Sequence, residues 1–166
     1  MSGITTTLNE LHDGERDLER DLLTAAERHR PEHEFHHVAL DVARWSREHT
    51  ERLADAGRER GLDLPGPRDD AASAASAAFT ALRERAAAAL GRRSESGLLL
   101  LNDLRHLHLA AAGNSLYWEM LAQAAQAVRD ERLLALASSC HPQTLRQMRW
   151  TNTMIKVLSP QLLTAE

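Results

Sequence analysis

A chain of 166 residues, 43% hydrophobic and 27% charged, has the size and balance of one soluble globular domain able to bury roughly two-thirds of its unfolded surface. Its net charge of -4, from 20 Lys and Arg intermixed with 24 Asp and Glu, excludes the electrostatic footprint of a nucleic-acid binder or of a protein held on an anionic membrane. No apolar run approaches the roughly 18 residues of a membrane span, and the lone Cys140 excludes an intrachain disulfide and fits a reducing, cytoplasmic setting.

Aromatic residues are only 4% of the chain, and Ala, Leu, Arg and Glu dominate, which favours helix throughout. The start, MSGITTTLNELHDGERD, lacks the basic-then-apolar order of a signal peptide. The first helix is expected over about 4–29, with Thr5 to Thr7 offering capping hydroxyls. Ile4, Leu8, Leu11, Glu15, Leu18, Leu22, Ala25 and His29 recur at gaps of four and three, the spacing of one helical face. Glu15 therefore puts a carboxylate into an otherwise apolar seam. Pro31 breaks the helix and suits the start of a second one over about 32–60. That helix has an inward stripe of Phe35, Val38, Val42, Trp45, His49, Leu53 and Ala56, and Gly61 is its stop signal. So short a turn makes the two helices antiparallel.

GLDLPGPRDD is a linker, and the Ala-rich stretch 71–90 is expected to form a thin helix in a long crossover. Gly91 to Gly97 is a second breaker. A third long helix follows over about 98–128, with Leu100 or Leu101, Leu104, Leu107 or His108, Ala111, Asn114 or Ser115, Trp118, Leu121, Ala125 and Val128 inward. The last segment, about 131–158, is helical, with a break or restart at Cys140-His141 before Pro142 and an end at Ser159-Pro160. Leu145, Met148, Thr151, Ile155 and Leu158 are its expected inward face. The whole chain, 1–166, then forms one all-α domain. Two antiparallel hairpins are joined by a crossover long enough to make the second and third long helices parallel.

Level arithmetic picks out one pair. Glu15 lies sixteen residues before the pivot at Pro31 and position 47 sixteen after it; His49 is two residues away, roughly 3 Å along a helix. Two independent periodicities thus place Glu15 and His49 inward at one height. A carboxylate and an imidazole there suit a metal ion. They equally suit a buried hydrogen-bonded pair, or Glu15 could pair with Arg47 at the helix edge. His33, His36 and His37 cluster at the start of the second helix; His33 and His37, one turn apart with Asp41 on the same face, could bind zinc at the surface, but the three read first as solvated histidines. His108 reads as a core histidine at the edge of its stripe, and Cys140-His141 as an isolated pair. The three tryptophans sit on or beside apolar stripes and read as core.

Leu8-x-x-Leu11-x-x-x-Glu15-x-x-Leu18, followed by Ser46-x-x-His49-Thr50-Glu51-Arg52-Leu53, resembles the first hairpin of the ferritin-like superfamily, and within it the small bacterial stress-associated branch. Tyr117-Trp118-Glu119-Met120-Leu121 resembles that branch's motif in the third long helix, and Thr144-Leu145-Arg146-Gln147-Met148 the start of its last helix. The resemblance covers about residues 4–158. It implies a four-helix bundle around a carboxylate-bridged di-metal centre used for iron oxidation, storage or oxygen chemistry. Glu15, His49 and Glu119 match ligand positions, whereas Ser46 and Gln147 stand where the family carries acids. The last helix has no Glu-x-x-His. A full di-iron centre needs a Glu from each of two helices and a Glu-x-x-His from each of the others. The expectation is therefore a ferritin-like protein with a reduced or lost metal centre. One iron, manganese or zinc ion is then held by Glu15, His49, Glu119 and His108, or no metal is held at all. The alternative is a non-catalytic interaction or dimerisation module in which Glu15 and His49 form a structural pair. A homodimer is expected in either case, with neither nucleic acid nor membrane as partner.

Overall fold

A computed structural model describes residues 2–69, 82 and 94–165 of the chain. Among these, four long helices make an all-α bundle: α1 (Gly3–Arg28), α2 (His33–Arg58), α3 (Ser94–Val128) and α4 (Glu131–Leu163). The helix expected over 71–90 lies outside the described residues apart from Leu82. No described helix is long and apolar enough to cross a membrane.

Local chemistry sets the ends of the helices. Ser2, rather than Thr5 to Thr7, caps α1: its hydroxyl accepts from the Thr5 N–H at 3.2 Å. Gly61 takes a φ of 74° after α2, and the Leu62 N–H closes back on the Gly57 carbonyl. The α3–α4 link is the pair Arg129-Asp130. Arg129 adopts a φ of 58°, the Asp130 N–H bonds the Ala125 carbonyl, and the Asp130 carboxylate caps α4 by accepting from the Leu133 N–H at 3.0 Å. Arg60 reaches across to the same carboxylate and ties the two hairpins together at this end.

Two expected breaks are absent, and of the third, Gly91 to Gly97, the described part from Ser94 is helical. α3 starts at Ser94 and runs through Gly97, whose missing side chain leaves room for Leu162; a Cβ there would stand 2.5 Å from Leu162 Cδ2. α4 is continuous through Cys140-His141 and Pro142, and passes Ser159-Pro160 to end at Leu163. Pro142 faces solvent, and so does Ser138, whose carbonyl loses its helical partner to the proline and can be hydrated instead. Cys140 and Thr144, buried on either side, anchor the helix so that it continues through this point.

Cross-helix pairs fix the topology. α3 descends as α1 ascends, because Trp118 meets Glu15 while Asp103 meets Arg28 and His29. α4 runs against α2 in the same way, with Arg52 at Ser139, His49 at Gln143 and Val42 at Gln147. α2 and α3 are therefore parallel and diagonal, with α1 and α4 between them. Residues 62–69 climb back over the α1–α2 face: Leu64 lies on Gly57, the Pro65 carbonyl accepts from His12 Nε2 at 2.6 Å, and the Arg68 carbonyl accepts from Arg47.

The core has two apolar halves. One gathers Leu18, Leu22, Phe35, Val42, Leu104 and Leu107; the other Leu8, Leu11, Leu53, Trp118, Leu121 and Leu133. Between them lies a buried polar layer of Glu15, Ser46, His49, Thr50, Asn114, Ser115, Thr144 and Gln147. Two inward faces are rotated from their expected positions. On α2, Val38 and Trp45 are half-buried, and Ala39, Ala43, Ser46 and Thr50 take the interior. On α4, Leu145 is 42% exposed and Thr144 and Gln147 are buried in its place. Apolar periodicity points outward there because the interior that α4 faces is polar.

Gly14 sets the α1–α3 approach at this layer. A Cβ on it would lie 2.2 Å from Asn114 Oδ1, and Asn114 is itself buried. Gly14→Ala is expected to lower stability by about 1–3 kcal/mol, despite alanine's better helix propensity. Adding Asn114→Ala should recover most of the loss. Urea midpoints check both, and a Gly14→Ala protein as stable as the parent would refute the steric account.

Candidate functional site

The polar layer is built around the pair that the level arithmetic selects. The turn of the first hairpin brings His49 to Glu15, and His49 Nδ1 donates to Glu15 Oε1 at 3.1 Å. The second hairpin closes over both. Trp118 Nε1 donates to the same Glu15 oxygen at 3.0 Å, and the Trp118 ring stands edge-on to His49, with centroids 5.5 Å apart. Gln143 presents its side-chain carbonyl to His49 Nε2 at 2.8 Å. Glu15 and His49 are 0% and 1% exposed.

The partners decide the charge on the ring. With the Glu15 carboxylate at Nδ1 and the Gln143 side-chain oxygen turned to Nε2, both nitrogens face acceptors, an arrangement that favours the imidazolium. Burial opposes that charge. Hydrogen bonds to the Cys140 sulfur and the Glu15 carboxylate, with the negative charge of Glu15, more than offset burial and raise the His49 pKa to about 10. Arg52 Nη1 donates to Cys140 Sγ at 3.4 Å and to Ser139 Oγ at 2.7 Å, so the thiol sits between a guanidinium and the imidazolium.

Gln147 completes the layer. Its amide donates to the Val42 carbonyl and to Ser46 Oγ, both at 3.0 Å. Glu15 Oε2, Thr144 Oγ1 and Gln147 Oε1 are buried without a protein partner.

The structure does not gather the four expected ligands. Glu15 and His49 meet. His108 bonds Thr151 Oγ1 at 2.9 Å on the α3–α4 seam, and Glu119 is 56% exposed, accepting from Gln123 with His141 3.8 Å away. Arg47, the other candidate partner for Glu15, pairs with Glu19 at 3.2 Å. Among the described residues no group of three His, Cys, Asp or Glu is placed to hold a metal ion. The donor set that remains does not fit iron, manganese or zinc. Both ring nitrogens of His49 are engaged, by Glu15 and by Gln143, so a metal would have to displace one of these bonds and the ring's proton. A cation at Glu15 Oε2 would find only the neutral oxygens of Thr144 and Gln147 on α4 to assist.

Trp118, Gln143 and Cys140 are the site residues that sequence reasoning does not assign. Trp118 could be found from the same height argument applied to α3, since an indole N–H beside a buried carboxylate needs an acceptor. Gln143 and Cys140 carry no comparable signal. A second polar knot lies near the α1–α2 turn, where Asp103 accepts from His29 Nε2 at 2.6 Å and from Arg28. Burial raises the Asp103 pKa, but these two hydrogen bonds outweigh it and hold the carboxyl below its ordinary value.

Comparison with protein-family models, curated proteins and solved structures finds no match to the chain.

Proposed function

We propose that the chain is a ferritin-like four-helix bundle that has lost its metal centre and works as a non-catalytic interaction module, in a reducing, cytoplasmic setting that suits its one thiol. The observation that carries this reading is the doubly donating His49 ring. It lies between Glu15 and Gln143, balances the carboxylate, and has both of its nitrogens engaged within the bundle. Ser46 and Gln147 support it. They stand where the family resemblance calls for acids, and here they bond each other at 3.0 Å as neutral groups. A pair of carboxylates facing each other at that place would need a cation between them; a hydroxyl and an amide need none.

Loading the purified protein with ferrous iron, manganese or zinc, followed by desalting and elemental analysis, is expected to leave less than stoichiometric metal. A Glu15→Ala variant should give the same result. One metal per chain that disappears in Glu15→Ala would overturn the reading.

A further inference from the structure

The outer face of α3 carries a row that the other described helices leave uncovered. Leu109, Leu116 and Met120 are 53%, 67% and 54% exposed, and Gly113 is exposed between them. The intervals of four, three and four are those of a helix–helix seam. Leu145 of α4, itself 42% exposed, widens the patch: His141 and Met148, which bracket it at helical spacing, both face α3. Residues 62–69 cross the opposite, α1–α2 face of the bundle.

No close packing among the described residues requires a glycine at position 113. A Cβ on it would meet nothing within 4 Å, and glycine inside a helix costs about 1 kcal/mol against alanine. A glycine in the middle of an apolar row is what lets a second helix backbone come close.

The charges beside the row select the occupant. Arg105 and Glu119 are exposed, two heptads apart and centred on Ala112. Arg105 has no ion pair among the described residues, and Glu119 is held only by Gln123 and, at 3.8 Å, His141. A second copy laid antiparallel across Ala112 and Gly113 brings its Glu119 to Arg105 and its Arg105 to Glu119. A parallel copy produces neither pairing.

We propose that a second copy of this chain docks on the outer face of α3, antiparallel and centred at Ala112–Gly113, forming a two-fold dimer through Leu109, Leu116 and Met120 with reciprocal Arg105–Glu119 pairs at its rim. The dimer rests on the interaction-module reading and gives it a partner.

Sedimentation equilibrium of the full chain over a concentration series tests it. The parent should dimerise. Leu116→Glu should weaken dimerisation at least about tenfold, since it buries a charge in the seam, with an unchanged unfolding midpoint for the monomer. Arg105→Glu and Glu119→Arg should each weaken it a few-fold. The double variant, and an equimolar mixture of the two single variants, should regain dimerisation. Within one chain the two positions are about 21 Å apart along the helix and cannot compensate each other. A parent that stays monomeric overturns the dimer, as does a dimer indifferent to Leu116→Glu or a charge swap without rescue. So does a monomer that Leu116→Glu destabilises, because the chain itself would then cover this face. None of these outcomes touches the non-catalytic reading, which stands or falls on metal stoichiometry.

Discussion

Glu15→Ala is expected to be the most damaging single substitution in the chain, lowering stability by about 3–5 kcal/mol. The carboxylate oxygen accepts from both His49 and Trp118, and neither donor has access to water. Removing it leaves an unpaired imidazolium and an orphaned indole N–H in the interior, and a void as well. A domain of this kind has only about 5–15 kcal/mol in total, so the variant should lose a large share of its stability. Glu15→Gln keeps an oxygen for the indole but not the charge that balances His49, and should fall between the two. Urea unfolding followed by tryptophan fluorescence reads both variants. A loss under about 1 kcal/mol for Glu15→Ala would mean that the pair is an ornament of the fold.

Alkaline titration should produce the second large effect. His49 binds its proton more tightly in the folded chain, with a pKa of about 10, than in the unfolded chain, with a value near 6.5. Protonation therefore favours folding. The contribution is complete below pH 6.5 and is lost as the pH rises towards 10, at a limiting slope of about 1.4 kcal/mol per pH unit. The urea midpoint of the parent should decline steadily across that window. A His49→Gln variant, less stable at pH 7, should show a flatter profile and approach the parent near pH 10. Parallel profiles for the two proteins would show that His49 is neutral in the folded state.

Glu15 and His49 could be read from the sequence because their positions depend only on helical periodicity and on the height of one tight turn. Their other partners depend on how α3 and α4 are rotated about their own axes, and the sequence blurs that rotation. On α4 the apolar pattern favours Leu145 and Met148, yet the helix turns Thr144 and Gln147 inward to meet Ser46 and the polar layer. Pro142 and Gly97 stand inside helices for a different reason. Proline and glycine act as breakers when nothing else holds the backbone. Here Pro142 faces water with its neighbours Cys140 and Thr144 buried, and Gly97 makes room for Leu162. Glu119 looked like a ligand because it follows Trp118 in a suggestive motif. One residue is 100° of helix, and that step takes it from the interior to solvent.

The polar layer also bears on the order in which the chain assembles. The Glu15–His49 bond spans 34 residues and belongs to the first hairpin alone. The bonds that join the hairpins, His49–Gln143, Glu15–Trp118 and Gln147–Val42, span 94, 103 and 105 residues. Contacts that distant close slowly, because the loop entropy must be overcome before they form. Each hairpin can zip from its own turn, and the meeting of the two halves across the polar layer is expected to be the slower event. Substitutions at Trp118 and Gln143 should then act chiefly on the rate of that docking, and substitutions near the two turns on the hairpins that precede it.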